Sequence, residues 1–331
     1  MKLKYYPFIK EINIVKRLEA TSFKEAFINL VEYAAPILEG GPSLKAIGFT
    51  PHDFSHHIKD IYSLLDKMLP EDFYNKYDRG ENLFLLLTGA LFHDIGMTEE
   101  WSENVRAQHS KIGKEIFVKP FEENKTDSVI KQNIEAKYKD YIGDIIYAHS
   151  DIKLEDGSRI ETFREIYNKY EGLTHTTYGN QEDINVPFLA AVLRLADELD
   201  ITYDRIENIN YHGSNNLPLS LQHFALCELF KEIQLSRSGD ALIIVVDESK
   251  CNLQLLDLTK DAAKKSQNEI LKLATDAANI LERYEKICGE FKMLNELVLR
   301  NTSYSSDKMW QIRRIELEKS DKLIEAAKKK E

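Results

Sequence analysis

The chain has 331 residues, 43% of them apolar and 30% charged, which is enough for a sizeable buried core and two subdomains. A formal charge of -11, with no basic stripe to offset it, argues against a general nucleic-acid-backbone binder and leaves room only for a local basic pocket for one small anion. No apolar run approaches the ~20 residues needed to span a bilayer, and the opening lacks a signal-peptide core. Three cysteines without a CxxC pair fit a reducing compartment, so a cytoplasmic protein is expected.

In chain order, residues 22–38 predict an amphipathic helix ended by Gly40, Gly41 and Pro42. A second helix opens at Asp53, an N-cap after Pro51, and runs to about Met68. Residues 82–95 are apolar on every side, which requires burial all round, and stop near Gly96. Helices are predicted over 101–119 and 126–149. Residues 150–185 are polar, tyrosine-rich and irregular, and read as an insertion or lid. After Pro187 a second strongly apolar helix runs to about 203. The stretch "EIQLSRSGDALIIVVDE" predicts a β-hairpin around Ser-Gly-Asp, and from about 258 the chain reads as charged helix.

Two of the apolar helices carry polar residues near their ends. The first ends in His93-Asp94; the second carries Asp197. A buried carboxylate is costly unless it is paired or ligates a metal. For each Asp taken alone, a helix cap or an ion pair with Arg194 or Arg205 would suffice. The case for a metal comes from the other donors: His56 or His57 in "FTPHDFSHHIKD", His109 in "RAQHSKIGKEI" and His149 in "IIYAHSD". Imidazole with carboxylate is the donor set for Mn, Fe, Ni, Co or Zn, and for two ions when a carboxylate bridges. The doublet His93-Asp94 closes a buried helix. Asp53 is placed to cap a helix, with His52 as its polar neighbour, one turn from His56. His57 is read as surface or packing.

The order His, then His-Asp, then Asp resembles the HD-domain superfamily of metal-dependent phosphohydrolases, on His56, His93-Asp94 in "GALFHDIGM" and Asp197 in "LRLADELD". The segments "TPHDFSHHIKDI" and "LRLADELDITYDRI" are similar to the HD-CE type of standalone bacterial HD proteins. The resemblance covers about 45–210. It implies a mainly α fold, an HD helical bundle with a small β-hairpin and a C-terminal helical extension. The segments would be 1–44 as N-terminal helices, 45–210 as the HD core and 211–331 as the extension. There is no Gly-Tyr-Pro after His149 and no local Glu-Asp arrangement after "HDIGMTEE". Neither a cyclic-di-GMP phosphodiesterase nor a (p)ppGpp hydrolase is therefore expected.

The same resemblance implies one or two divalent ions (Mn, Mg, Fe, Ni, Co or Zn). His56, His93, Asp94 and Asp197 would hold the first, with Asp94 bridging to a second on His109 and His149. It implies hydrolysis of a phosphoester or phosphoanhydride of a nucleotide or related small molecule by metal-activated water. Asp94, Asp197, His109 and His149 would be the catalytic group, with Asp197 or Asp200 orienting the water. With one ion only, His109 or His149 would be free to act as general acid. Arg106, Lys59, Lys111 and His52 are the candidates for holding the phosphate, and Tyr203 and the tyrosines of 167–178 for stacking on a base. His175, His212 and His223 read as structural. Two other readings stay open: a diiron oxygenase of the HD type, and a non-catalytic nucleotide sensor signalling through the C-terminal helices, which would also suit homo-oligomerisation. No membrane partner is expected.

Overall fold

The computed structural model describes residues 3–40, 54–70, 73, 80–99, 103–170, 184–201, 227, 230–238, 240–246, 285–292 and 314–318. Helices α1 (Asn13–Glu19) and α2 (Lys24–Gly40) follow apolar residues spaced three and four apart: Phe27, Leu30, Val31, Ala34 and Leu38 form one buried stripe of α2. A π-helical turn, Phe54–Ile58, runs directly into α3 (Lys59–Met68). Gly80, at φ 98°, N-caps α4 (Glu81–Phe92), in which Asn82 through Phe92 are all buried. Each fully buried Leu or Phe there contributes about 1.5–3 kcal/mol, so α4 is fixed by apolar packing against α2 and α3.

A 3₁₀ turn (Ile95–Thr98) follows the His-Asp doublet and packs on α5 (Glu103–Glu122). The single helix expected over 126–149 is three pieces: the short α6 (Val129–Asn133), a 3₁₀ turn (Ala136–Tyr138) and α7 (Lys139–Ala148). α7 packs against both α4 and α5.

The segment 150–185 is not irregular throughout. It opens with a small antiparallel pair, β1 (Ile152–Lys153) and β2 (Arg159–Ile160), and continues as α8 (Thr162–Tyr170) on α7. The stripe Phe163, Ile166, Tyr170 supplies α8 with one buried face, and its polar majority is the solvent side that obscured it in the sequence. The second apolar helix is α9 (Val186–Leu199).

By internal contacts the chain forms two units. One is Met1–Leu44 with His52–Asp197 and Met293–Gln311; the other is Lys45–Pro51 with Glu198–Lys292 and Ile312–Glu331. In the second, β3 (Phe230–Leu235) and β4 (Ala241–Val246) form the expected hairpin, with Leu235 opposite Leu242 and a bulge near Phe230. The turn is closed by Ser236 N–H on the Ala241 carbonyl at 2.8 Å. A third strand, β5 (Arg314–Glu318), joins β4 in parallel. It falls within the stretch read as helical extension, and the alternation Arg-Ile-Glu-Leu-Glu, of period two, is what favours a strand there. Residues 285–292 are helical, with Lys286 paired to Glu198 at 2.6 Å. The remainder of 258–331 lies outside the described residues. The fold is thus mainly helical with small β elements, and no helix among the described residues is long and apolar enough to cross a membrane.

Candidate metal centre

The doublet His93-Asp94 sits where α4 ends, and both residues are buried. Asp94 has left the helix, at φ -99° and ψ 9°, the bridge region where many active-site residues sit. Its two carboxylate oxygens face different partners. Oδ2 lies 3.1 Å from His57 Nε2 and 3.2 Å from His93 Nε2. Oδ1 lies 3.4 Å from His109 Nε2 and 3.5 Å from His149 Nε2. Asp197 Oδ1 completes the first group, 3.5 Å from His57 and 3.7 Å from His93. The donor atoms converge as two sets, His57–His93–Asp94–Asp197 and Asp94–His109–His149, sharing one carboxylate.

His57, not His56, is brought to this site. Phe54, His57, Ile58, Ile61, Leu65 and Met68 form the buried stripe of the π-turn and α3, whereas His56 falls off that stripe and is half-exposed. The same stripe is visible in the sequence, and its helical phase includes His57 and excludes His56. The π-turn also carries a cap, because Glu39 from the end of α2 accepts the Ser55 N–H at 2.9 Å and its hydroxyl too. Turns of this kind recur at functional sites.

The tautomers are set by backbone. His93 Nδ1 donates to Ala90 O at 2.7 Å, His109 Nδ1 to Arg106 O at 2.8 Å and His149 Nδ1 to Ile146 O at 2.5 Å, each to the carbonyl three residues earlier. A neutral ring that donates from Nδ1 presents a bare lone pair at Nε2, the ligating form. The Nε2 atoms then face each other, His57 with His93 at 3.0 Å and His109 with His149 at 2.8 Å. Ring nitrogens brought this close together, with carboxylate oxygens beside them, form a site that calls for positive charge. A divalent cation fits this donor set, and imidazole with carboxylate suits Mn, Fe, Co, Ni or Zn.

Beside these carboxylates the imidazoles differ in their affinity for a proton. Burial alone would lower the His93 imidazole, but Asp94 and Asp197 beside it raise it well above its ordinary value. Burial alone would raise Asp197, yet its hydrogen bond to His93 holds it well below the carboxylate range. Burial, and then the neighbouring His149 ring, lower His109 to about 4, leaving it neutral at physiological pH.

A glycine sets the spacing. A Cβ on Gly96 would lie 2.1 Å from the His109 carbonyl oxygen and 2.8 Å from Gly113 N. Only hydrogen fits, so the turn after Asp94 presses directly on the α5 backbone that carries His109. The middle of α5, just over a turn after His109, is clamped by a carboxylate. The fully buried Asp144 of α7 accepts from Lys114 of α5 at 2.7 Å and from Lys169 and Tyr170 of α8 at 2.5 and 2.7 Å. No local pattern marks Asp144, because its partners are 25 or more residues away.

The remaining expected residues fall outside the two donor sets or outside the described residues. Arg106, Lys59 and Lys111 are exposed, and Lys111 is 4.0 Å from Glu115. Asp200 is buried but belongs to neither donor set. His52, Asp53, Tyr203, Arg205, His175, His212 and His223 lie outside the described residues. Arg194, considered as a partner for a buried Asp, pairs with Asp151 at 2.9 Å.

A buried His-Asp doublet bridging two histidine sets inside a helical bundle defines a protein of the HD-domain class. A family model described as HD-CE matches residues 46–285, well over half of the chain, and the chain belongs to that family. No curated protein and no solved structure matches it.

Proposed function

We propose that the protein is a metal-dependent phosphohydrolase acting on a phosphoester or phosphoanhydride of a nucleotide or related small molecule. The observation that carries this reading is Asp94, whose two oxygens address two separate imidazole sets 3.1–3.5 Å away. That arrangement suits a pair of cations sharing one carboxylate. When bound, such cations supply a water acidic enough to yield hydroxide near neutral pH and neutralise charge growing on phosphoryl oxygens. His57, His93 and Asp197 would hold one ion, His109 and His149 the other, with Asp94 between them. Asp197, 30% exposed where its partners are buried, is the carboxylate proposed to orient the attacking water. Arg106, exposed one turn before His109, is the proposed contact for phosphate.

The test is elemental analysis of the chain after equilibration with Mn²⁺ and desalting, followed by a screen of nucleotide phosphoesters for phosphate release. Two ions per chain and hydrolysis that disappears in Asp94→Ala are expected. No bound ion would overturn the reading in favour of a nucleotide sensor. Bound iron with oxygen uptake and no phosphate release would replace it with an oxygenase.

A further inference from the structure

The loop that follows His149 is held from three helices at once. Ser110, beside His109 on α5, and Thr162, at the start of α8, both donate to the Ser150 carbonyl, at 3.1 and 2.9 Å. Arg194 of α9 reaches the same loop, and its Nη1 donates to Ala148 O at 3.3 Å and to Asp151 Oδ1 at 2.9 Å. His149 lies between those two acceptors in the chain. Ala148 O belongs to the last turn of α7, where carbonyls lack intrahelical donors and the helix dipole favours a cation. Of the three grips, Arg194's is the charged one and comes from the helix that bears Asp197, one turn further on.

We propose that Arg194 is a positioning residue that keeps His149, and with it the His109–His149 half of the centre, in register with the half built on Asp197. The proposal rests on the two-cation reading above. Apolar packing already fixes α9, whose Leu193, Leu195 and Ala196 are fully buried, so α9 does not depend on the arginine for its own place. The loop 148–151 is different: polar side chains hold it, and a half-buried guanidinium bridging a carbonyl and a carboxylate is the strongest of them. Loss of Arg194 therefore loosens His149 and leaves His57, His93 and Asp197 in place.

The experiment is a calorimetric titration of the metal-stripped, full-length protein with Mn²⁺ alone, comparing wild type with Arg194→Met, Arg194→Lys and Asp151→Asn. Outer partners of metal ligands typically change affinity by about 10–100-fold. Arg194→Met is expected to weaken the second ion by that factor while the first stays within about two-fold of wild type. Arg194→Lys should recover part of the loss, and Asp151→Asn, which keeps the Ala148 contact, should fall between. An unchanged second ion in Arg194→Met, or equal weakening of both, would overturn the inference and leave the two-cation reading intact. Fewer than two ions in wild type would remove that reading and this inference with it. If Arg194→Met does not fold, Asp151→Asn decides alone: a weakened second ion with an unchanged first supports the proposal, and wild-type affinities for both overturn it.

Discussion

The two halves of the centre share Asp94 but are built differently. His57, His93 and Asp197 stand on the π-turn leading into α3, on α4 and on α9, elements packed by apolar stripes, and both histidines are fully buried. His109 and His149 stand on α5 and at the C-terminal end of α7, where hydrogen bonds and ion pairs add restraint: Ser110, Thr162, Arg194, Asp144. One half is placed by packing; the other is packed too, through Phe117, Ile142, Ile145 and Ile146, but adds polar contacts around its histidines. Packing is costly to disturb and slow to change; polar grips are individually small and separable. The first half is accordingly the rigid reference, and the second is the half that substitutions can tune.

The shared residue makes the largest prediction. Asp94→Ala removes the one carboxylate that both halves use, so both ions and all hydrolysis are lost, read by elemental analysis and phosphate release. The next effect separates neighbours in sequence. His57→Ala loses the first ion, whereas His56→Ala keeps both, and the reverse result in a metal titration would reassign the ligand. Gly96→Ala sets a methyl where a carbonyl oxygen already lies, and overpacking of this kind costs about 1–3 kcal/mol or more. In urea denaturation its midpoint should fall, and the second ion should weaken more than the first, because the clash is with His109's own backbone.

The smallest effect is on pH. In the metal-free protein His109 is lowered to about 4 from 6.5, so between those values the unfolded chain takes up a proton that the folded one refuses. Stability contributed by neutral His109 is present above pH 6.5 and is lost as pH falls toward 4. His109→Gln should flatten that decline in metal-free denaturation curves, and an unaltered slope would argue against the lowered value. His93 runs the other way, its raised value giving stability that is present at low pH and lost as pH rises through it.

Much of the rigid half was legible in the sequence because packing leaves periodicity. The unbroken apolar run of α4 ending in His-Asp, and Asp197 on a second such run, are visible from residue types alone. His57 was legible too, in the helical phase of Phe54, Ile58, Ile61 and Leu65, although motif likeness points to His56. The tunable half was legible in its histidines and not in its supports. Asp144, Arg194 and Thr162 look like ordinary helix polar residues, and their partners are set by which helices meet, not by spacing along the chain. α8 and β5 depart from expectation for a related reason: both are short, and charged residues outweigh the few apolar positions that set their period.

Gly96 has one more consequence. Because the turn after Asp94 rests on the α5 backbone with nothing but hydrogen between them, the gap between the shared carboxylate and His109 is gauged by main chain against main chain. Side chains can be exchanged, repacked or allowed to drift in size without resetting that gauge. The surrounding core is thereby free to vary over generations while the reach from Asp94 to His109 stays constant, and His149 is left as the ligand that substitutions can tune.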